Sequence, residues 1–409
     1  MLKVNILFVL QCPWGADIGI AKVHLDLKEE YERLGHVVDV LAYDDIYPKG
    51  QSKFTELISP KISYMLHRKL CDISGNYDVI DANFQCVPYD KRTFGFKGLL
   101  VFRSHGLPDV YRRAEQAAVY QRMIMGAPKQ PVRLRTRFGN IYRAIQRKLG
   151  PKELDASLRH ADLVHCLNST EYEYLLEIGI QKDHIVQVPN GVSDRFIEEV
   201  SKLSAEKRGA VVFLASWTPR KGIHDLNAIL AGLHAGVGEL KFKVLGSGYN
   251  QNYVFETLNP EFHASTFVMS HFVTSQLQNL LTDCRVGIFP SYIEGFGLAI
   301  VEQLACGVPV VAYDVPGPRD ILRELDTSLL VEAGDIEAMV RKTIEIQSMP
   351  EEAYLRLSDR CKAHARQFKA SRVAGLFLKS YEQKLRSLVK ASTNSRSEPE
   401  ESPHSRASK

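Results

Sequence analysis

Residues Cys284–Tyr313 read CRVGIFPSYIEGFGLAIVEQLACGVPVVAY. The stretch opens on an apolar run that ends at Pro290 and reads as a buried strand. The loop Tyr292–Gly297 follows, and then Leu298, Val301, Leu304 and Ala305 recur at helical spacing as one apolar stripe. Gly307 suits the position just past a helix C-terminus, and Pro309 prevents continuation. Val310–Tyr313 is a second buried strand. Strand, helix and strand in this order form a crossover unit of a parallel sheet. In open sheets of this kind ligands bind beyond the carboxyl ends of the strands, where the loop lies. Gly295 and Gly297 let backbone N–H groups approach an anion closely, and the helix starting near Leu298 aims its positive end there. Glu294 precedes that helix and Glu302 lies just over one turn inside it. Carboxylates so placed accept hydrogen bonds from paired hydroxyls, which sugars and ribose supply. The plainer alternative is a capping acid and a solvated helical Glu.

The same grammar extends in both directions. Val4–Leu10 reads as a strand, Ile20–Gly35 as a helix stopped by its glycine, and His36–Tyr43 as the next strand. Tyr77–Phe84, Gly98–Gly106, Ala161–Ser169 and His184–Val192 continue an N-terminal series. A second series begins at Gly209–Trp217 and continues with Leu240–Gly248 and Ala264–Phe272. Strands alternating with helices imply parallel sheets covered on both faces. The division is an N-terminal domain over 1–195, with a basic helical insertion at about 107–152, and a C-terminal domain over 209–370. A long helical run follows Ser328, and the Ser/Glu/Pro-rich tail 391–409 has the composition of a disordered segment.

Composition excludes several classes. The chain has 409 residues, 45% apolar and 24% charged, the balance of a globular protein of two or three domains. A net charge of +4 makes no case for nucleic-acid binding. The seven cysteines include no C-x-x-C pair, which argues against a zinc site or a disulfide framework and for a reduced, cytoplasmic protein. No run reaches the about 18 consecutive apolar residues of a membrane span. Between Leu107 and Lys152 stand eleven Lys/Arg against Asp109 and Glu115. Its segment 133–148 reads either as a solvated helix packed on the domain or as a weak contact for anionic membranes.

Four further strand ends carry chemistry. SWTPRKG (Ser216–Gly222) sets Arg220 and Lys221 at a strand-to-helix turn, where two cations suit a diphosphate. FRSHG (Phe102–Gly106) places His105 at a strand end. In GADIGIAK (Gly15–Lys22), Gly19 is a candidate for close backbone approach to a ligand, whereas Asp17 and Lys22 read as solvated helix-end charges, with contact to an acceptor as the alternative. VLGSGYN (Val244–Asn250) holds Gly246 and Gly248, but Gln251 stands where a dinucleotide fingerprint needs its third glycine, so a nicotinamide dehydrogenase is rejected. No D-x-D cluster stands at a convincing strand end, so no metal site is expected.

Glu294-Gly-Phe-Gly-Leu-Ala-Ile-Val-Glu302 followed by QLACGVPVVA resembles the E-x7-E signature of retaining family-4 glycosyltransferases. Ala161–Ile180, His184–Val192, TPRKGIHDL (Thr218–Leu226) and KFKVLGSG (Lys241–Gly248) are similar to other parts of that family. The resemblance implies the GT-B fold, two Rossmann-like doubly wound domains facing across a cleft. It implies transfer of a sugar from a UDP- or GDP-sugar to a glycan or lipid-linked acceptor with retained anomeric configuration, and no metal or other cofactor. By the same resemblance Glu294 contacts sugar hydroxyls, Glu302 the ribose, and His105 the donor sugar near its 6-hydroxyl. Arg220 and Lys221 hold the diphosphate, while Gly246, Gly295, Phe296, Gly297 and Leu298 line the donor. A final helix at 371–390 crosses back to the N-terminal domain. The sequence departs from many relatives in lacking a second Arg upstream of Thr218. Surface polysaccharide or glycolipid synthesis, at the cytoplasmic side of the plasma membrane, is the implied setting. The alternatives are a catalytically silent sugar-nucleotide-binding partner of a polymer-synthesis complex, or another GT-B enzyme such as a sugar-nucleotide epimerase.

Overall fold

The computed structural model describes residues 3–15, 19–47, 62–126, 152–200 and 209–394. Asp17 and the basic segment 133–148 lie outside them. The N-terminal sheet comprises β1 (Asn5–Val9), β2 (Val37–Leu41), β3 (Val79–Asn83), β4 (Leu99–Arg103), β5 (Leu163–Cys166) and β6 (Ile185–Gln187). All are parallel, in the order β2-β1-β3-β4-β5-β6. The C-terminal sheet comprises β7 (Ala210–Leu214), β8 (Phe242–Leu245), β9 (Thr266–Met269), β10 (Cys284–Phe289), β11 (Val310–Tyr313) and β12 (Leu330–Val331). Its order is β12-β11-β10-β7-β8-β9, again all parallel. Strands β3, β4, β7 and β10 are buried along their whole length. That follows from helices covering both faces, and it explains apolar runs without alternation.

In the second sheet the chain moves outward one way from β7 and the other way from β10. The crevice between these two strands is therefore the topological switch point, where this architecture binds ligands. The loops after β7 and β10 carry Arg220, Lys221 and Glu294.

The helices that position the site are α1 (Gly19–Arg33), α2 (Pro108–Gln116), α3 (Ala118–Gly126), α4 (Ser169–Glu177), α5 (Leu298–Ala305), α6 (Pro318–Arg323) and α7 (Ala370–Asn394). Helix α5 differs from the single stripe its spacing suggests: Ile300, Glu302 and Gln303 are buried as well as Val301, Leu304 and Ala305. It is wrapped by both domains, and Leu298 packs against both of their cores. The helix expected directly after Gly222 starts only at Leu226, because Pro219–Lys221 forms a tight 3₁₀ turn first. The long C-terminal helical run is three helices, Ile336–Gln347, Glu351–Ala365 and α7, interrupted around Pro350 and at Arg366–Phe368. β12 stands where the sequence reads only as the approach to the first of them.

Two chain crossings connect the domains. Near the first, Val192 donates its N–H to Phe368 O at 2.8 Å, and Ala370 N donates to Val192 O at 2.9 Å. Asp194 accepts from Ser371 N at 3.0 Å and from Ser371 Oγ at 2.5 Å, which ties the start of α7 to the first crossing. Helix α7 then lays Val373, Ala374, Phe377, Leu378 and Tyr381 into the N-terminal core. Among the described residues no helix is long and apolar enough to cross a membrane.

Candidate active site between the two domains

The loop after β7 turns at Gly222, whose φ is +76° and whose Cβ would lie 1.9 Å from Pro290 O. Only glycine fits there, and its closeness brings the β7 and β10 loops side by side. Tyr292 N donates to Arg220 O at 2.9 Å and fixes their register. Lys221 Nζ forms an ion pair with Glu294 Oε2, and Phe289 supports the ammonium from 5.1 Å. Both side chains are mostly buried, at 11% and 14% exposure. Arg220 is exposed beside them. Below the loops Asp225 accepts from the hydroxyls of Tyr292 at 2.7 Å and Tyr313 at 2.6 Å, which braces the turn that carries both cations.

Gly295 N donates to Glu294 Oε1 at 3.2 Å, and Asn168 Nδ2 at the start of α4 donates to Gly295 O at 2.6 Å. Ser169 adds a second interdomain link, with N 2.5 Å and Oγ 2.8 Å from the Asp320 carboxylate on α6. His105 O would lie 3.3 Å from a Cβ at Gly295, so the N-terminal domain meets the E-x7-E loop at β4's end. His105 Nε2 contacts Asn83 Oδ1 at 2.9 Å. Burial, with His24 and Arg103 nearby, holds the imidazole well below its ordinary pKa, so it is neutral near pH 7. Donation from Nε2 to the Asn83 oxygen leaves Nδ1 as an acceptor.

The structure thus brings Lys221, Glu294 and Gly295 together, with Arg220 at their edge and the backbone carbonyl of His105 against Gly295. Gly297 has φ +105° and starts α5; Phe296 beside it is 5% exposed and packs on Phe368. Gly246 turns the chain after β8 with φ +72°, and Trp217 N donates to Ser247 O at 2.8 Å, linking that turn to the β7 loop. Gly19 is exposed at the start of α1, and a Cβ there would meet nothing within 4 Å, so the space beside its backbone is open.

Lys22 corrects its expected role. Instead of a solvated helix-end charge it is 18% exposed and pairs across the domains with Glu302 Oε1 at 2.6 Å. Burial opposes its charge, but the Glu302 carboxylate outweighs burial and raises its pKa. Tyr111 is a residue the sequence reading omits. It sits one turn into α2 with its hydroxyl against Gly106 and Gly295, where the charges of Glu294 and Arg220 act on it. The available signal was Pro108 after His105-Gly106, which starts a helix and turns position 111 back toward the strand end. Among the described residues no group of three or more His, Cys, Asp or Glu side chains is arranged to hold a metal ion.

Residues 194–368 match the family model for Glycosyl transferases group 1. Over 153 residues the chain is 27% identical to 2-deoxystreptamine N-acetyl-D-glucosaminyltransferase of Niallia circulans, covering 36% of this chain and 38% of that protein. It is 30% identical over 128 residues to a capsular polysaccharide biosynthesis glycosyltransferase of Staphylococcus aureus, covering 30% of this chain and 32% of that protein. The chain therefore spans well under half the length of either relative. Sucrose-phosphate synthase of Thermosynechococcus elongatus superimposes with a TM-score of 0.65 at 18% identity, covering 94% of this chain and 100% of that one. At that identity the likeness concerns the fold, which is two parallel-sheet Rossmann-like domains in the GT-B arrangement.

Proposed function

We propose that this protein is a glycosyltransferase that moves a sugar from a UDP- or GDP-sugar to a glycan or lipid-linked acceptor with retention of anomeric configuration. The observation that carries the reading is the Lys221–Glu294 pair, with Arg220 beside it, set against His105 of the other domain at the switch point of the donor-side sheet. Breaking a glycosidic bond to a diphosphate leaves growing negative charge on the leaving oxygen. Fixed cations at that position stabilise the transition state more than the ground state. Glu294, oriented by Gly295 N, accepts from sugar hydroxyls, and neutral His105 accepts from another through Nδ1. Glu302 is the ribose acceptor, with Lys22 holding its carboxylate. Attack from the face of the departing group lets a phosphate oxygen take the acceptor's proton, so no enzyme nucleophile is required.

The cations meet the diphosphate charge in this reading, with no divalent metal. The name of the Staphylococcus aureus relative supports a setting in surface polysaccharide synthesis. The charge of residues 133–148 supports weak contact with the anionic inner face of the plasma membrane. Co-sedimentation with anionic but not neutral vesicles, lost in high salt, is the expected result for that contact.

The test of the activity is a thermal-shift panel of nucleotide sugars in EDTA, followed by hydrolysis of the stabilising donor without acceptor. One donor should raise the melting temperature, because it binds the folded form alone. Failure of every UDP- and GDP-sugar to do so, with or without Mg²⁺, contradicts the function. Stabilisation that requires Mg²⁺ contradicts the metal-free reading only.

A further inference from the structure

Helices α2 and α3 follow β4 in the N-terminal domain, yet they lie against the other one. Tyr111, Ala114, Val119, Tyr120, Met123 and Ile124 pack on the hydrophobic core that contains β7, β10 and β11. Tyr120 meets the Tyr292 ring edge-on at 5.9 Å. This arm carries Tyr111 to the point where two glycines face each other across the domain boundary. A Cβ at Gly106 would lie 2.2 Å from Tyr111 Oη, and a Cβ at Gly295 would lie 2.7 Å from it. The space for the hydroxyl thus depends on two residues without side chains, one from each domain. The Arg220 guanidinium and the Glu294 carboxylate stand near enough to act on it electrostatically.

We propose that Tyr111 is a substrate-contacting residue whose hydroxyl, alongside Arg220, hydrogen-bonds the leaving diphosphate of the donor. The inference rests on the reading of this site as a nucleotide-sugar site. A phenol has one proton to donate, and phosphate oxygens are strong acceptors. Burial and the Glu294 charge raise its pKa, so the proton stays on the phenol near neutral pH. The chain has no Arg in the six residues before Thr218, so the β7 turn presents only Arg220 and Lys221 as cations. A neutral donor from the opposite domain adds a contact to the departing oxygen without adding charge, and it forms only when the two domains are together.

Tyr111→Phe removes the hydroxyl and keeps the ring, so the arm retains its packing. Calorimetry with UDP, GDP and ADP and with the corresponding monophosphates reads the contact directly. The expected result is about a tenfold loss of affinity for the diphosphate the parent binds, no change for its monophosphate, and a fall in kcat of about tenfold or more. Gly295→Ala, whose methyl displaces the hydroxyl, should show the same selectivity for the second phosphate. Melting temperatures of both variants report whether they fold. Equal affinity of parent and Tyr111→Phe for the diphosphate, or equal loss for monophosphate and diphosphate, overturns the inference and leaves the donor site standing. A parent that binds none of the three diphosphates overturns the inference and the proposed function together.

Discussion

Lys221 and Glu294 hold each other in place with only 11% and 14% of their side chains exposed, so neither side chain is replaceable alone. Removing one leaves the other as an uncompensated, largely buried charge. Lys221→Ala and Glu294→Ala should each lower kcat by about 10²–10³ while the protein remains folded. Near-normal kcat in both purified variants contradicts their assignment. Glu302→Ala should weaken nucleotide binding more than it slows the chemical step, since a ribose contact exists in ground and transition states alike. A kcat loss with unchanged nucleotide affinity contradicts that role. Glu294, Lys221 and His105 were legible because glycine and proline mark the strand ends where they stand. Lys22 was not: its partner Glu302 lies 280 positions away, and no local pattern encodes such a pair. Tyr111 was hidden for the same reason, as its neighbours Arg220 and Gly295 belong to the other sheet.

Among the elements, long buried strands were the easiest to read. Parallel strands covered on both faces need continuous apolar residues, and VNILFV, LLVF and AVVFL supply them. β12 has two residues, too few for any period. The three C-terminal helices merged in the reading because their apolar spacing continues through the breaks, although Pro350 marked one of them. Helix α7 does more than close the chain. Its Tyr381 hydroxyl donates to Asp81 Oδ2 at 2.5 Å and accepts from Arg103 Nη2 at 3.0 Å, while Arg103 Nε reaches Asp81 Oδ1 at 2.9 Å. Arg103 and Asp81 are completely buried, and the Phe377 ring lies 4.0 Å from the guanidinium. This cluster anchors the last helix against β4, the strand that leads to His105. Tyr381→Phe should cost about 1–3 kcal/mol, because it withdraws a hydrogen bond from a buried charged pair. Thermal melts should show a drop of a few degrees, and kcat should change far less than in the Lys221 variant. An unchanged melting temperature shows that the cluster contributes nothing to holding α7.

For the molecule as a whole, the buried histidines set the acid limit. His24 and His165 are held down to about 3 by burial and by Arg103, and His105 is lowered by burial, His24 and Arg103. Unfolded histidine takes up a proton near pH 6.5, so between there and about 3 the unfolded chain binds protons that the folded chain refuses. Stability therefore falls as pH falls below 6.5. Asp26 has the opposite sign: burial raises it to about 7, so its contribution is present at low pH and is lost as pH rises through 7. Burial also raises Glu171 and Asp225 and lowers His36 and His224, so three carboxyls stand against five imidazoles and the balance is a net loss on acidification. Melting temperatures from pH 8 to pH 5 should decline below 6.5, more steeply in Asp26→Asn; a flat or rising profile contradicts this balance. The paired chain crossings at Val192 and Lys369 have a mechanical consequence. A single strand between two bodies lets them bend, twist and swing independently. Two strands bonded side by side, so close that a Cβ at Gly191 would lie 2.9 Å from Ala370 Cα, act as a pair of door hinges. Only rotation about the line through them stays soft. Any parting of the two bodies about that line should grow with distance from it, and a single pair of labels on opposite rims should read it as one angle.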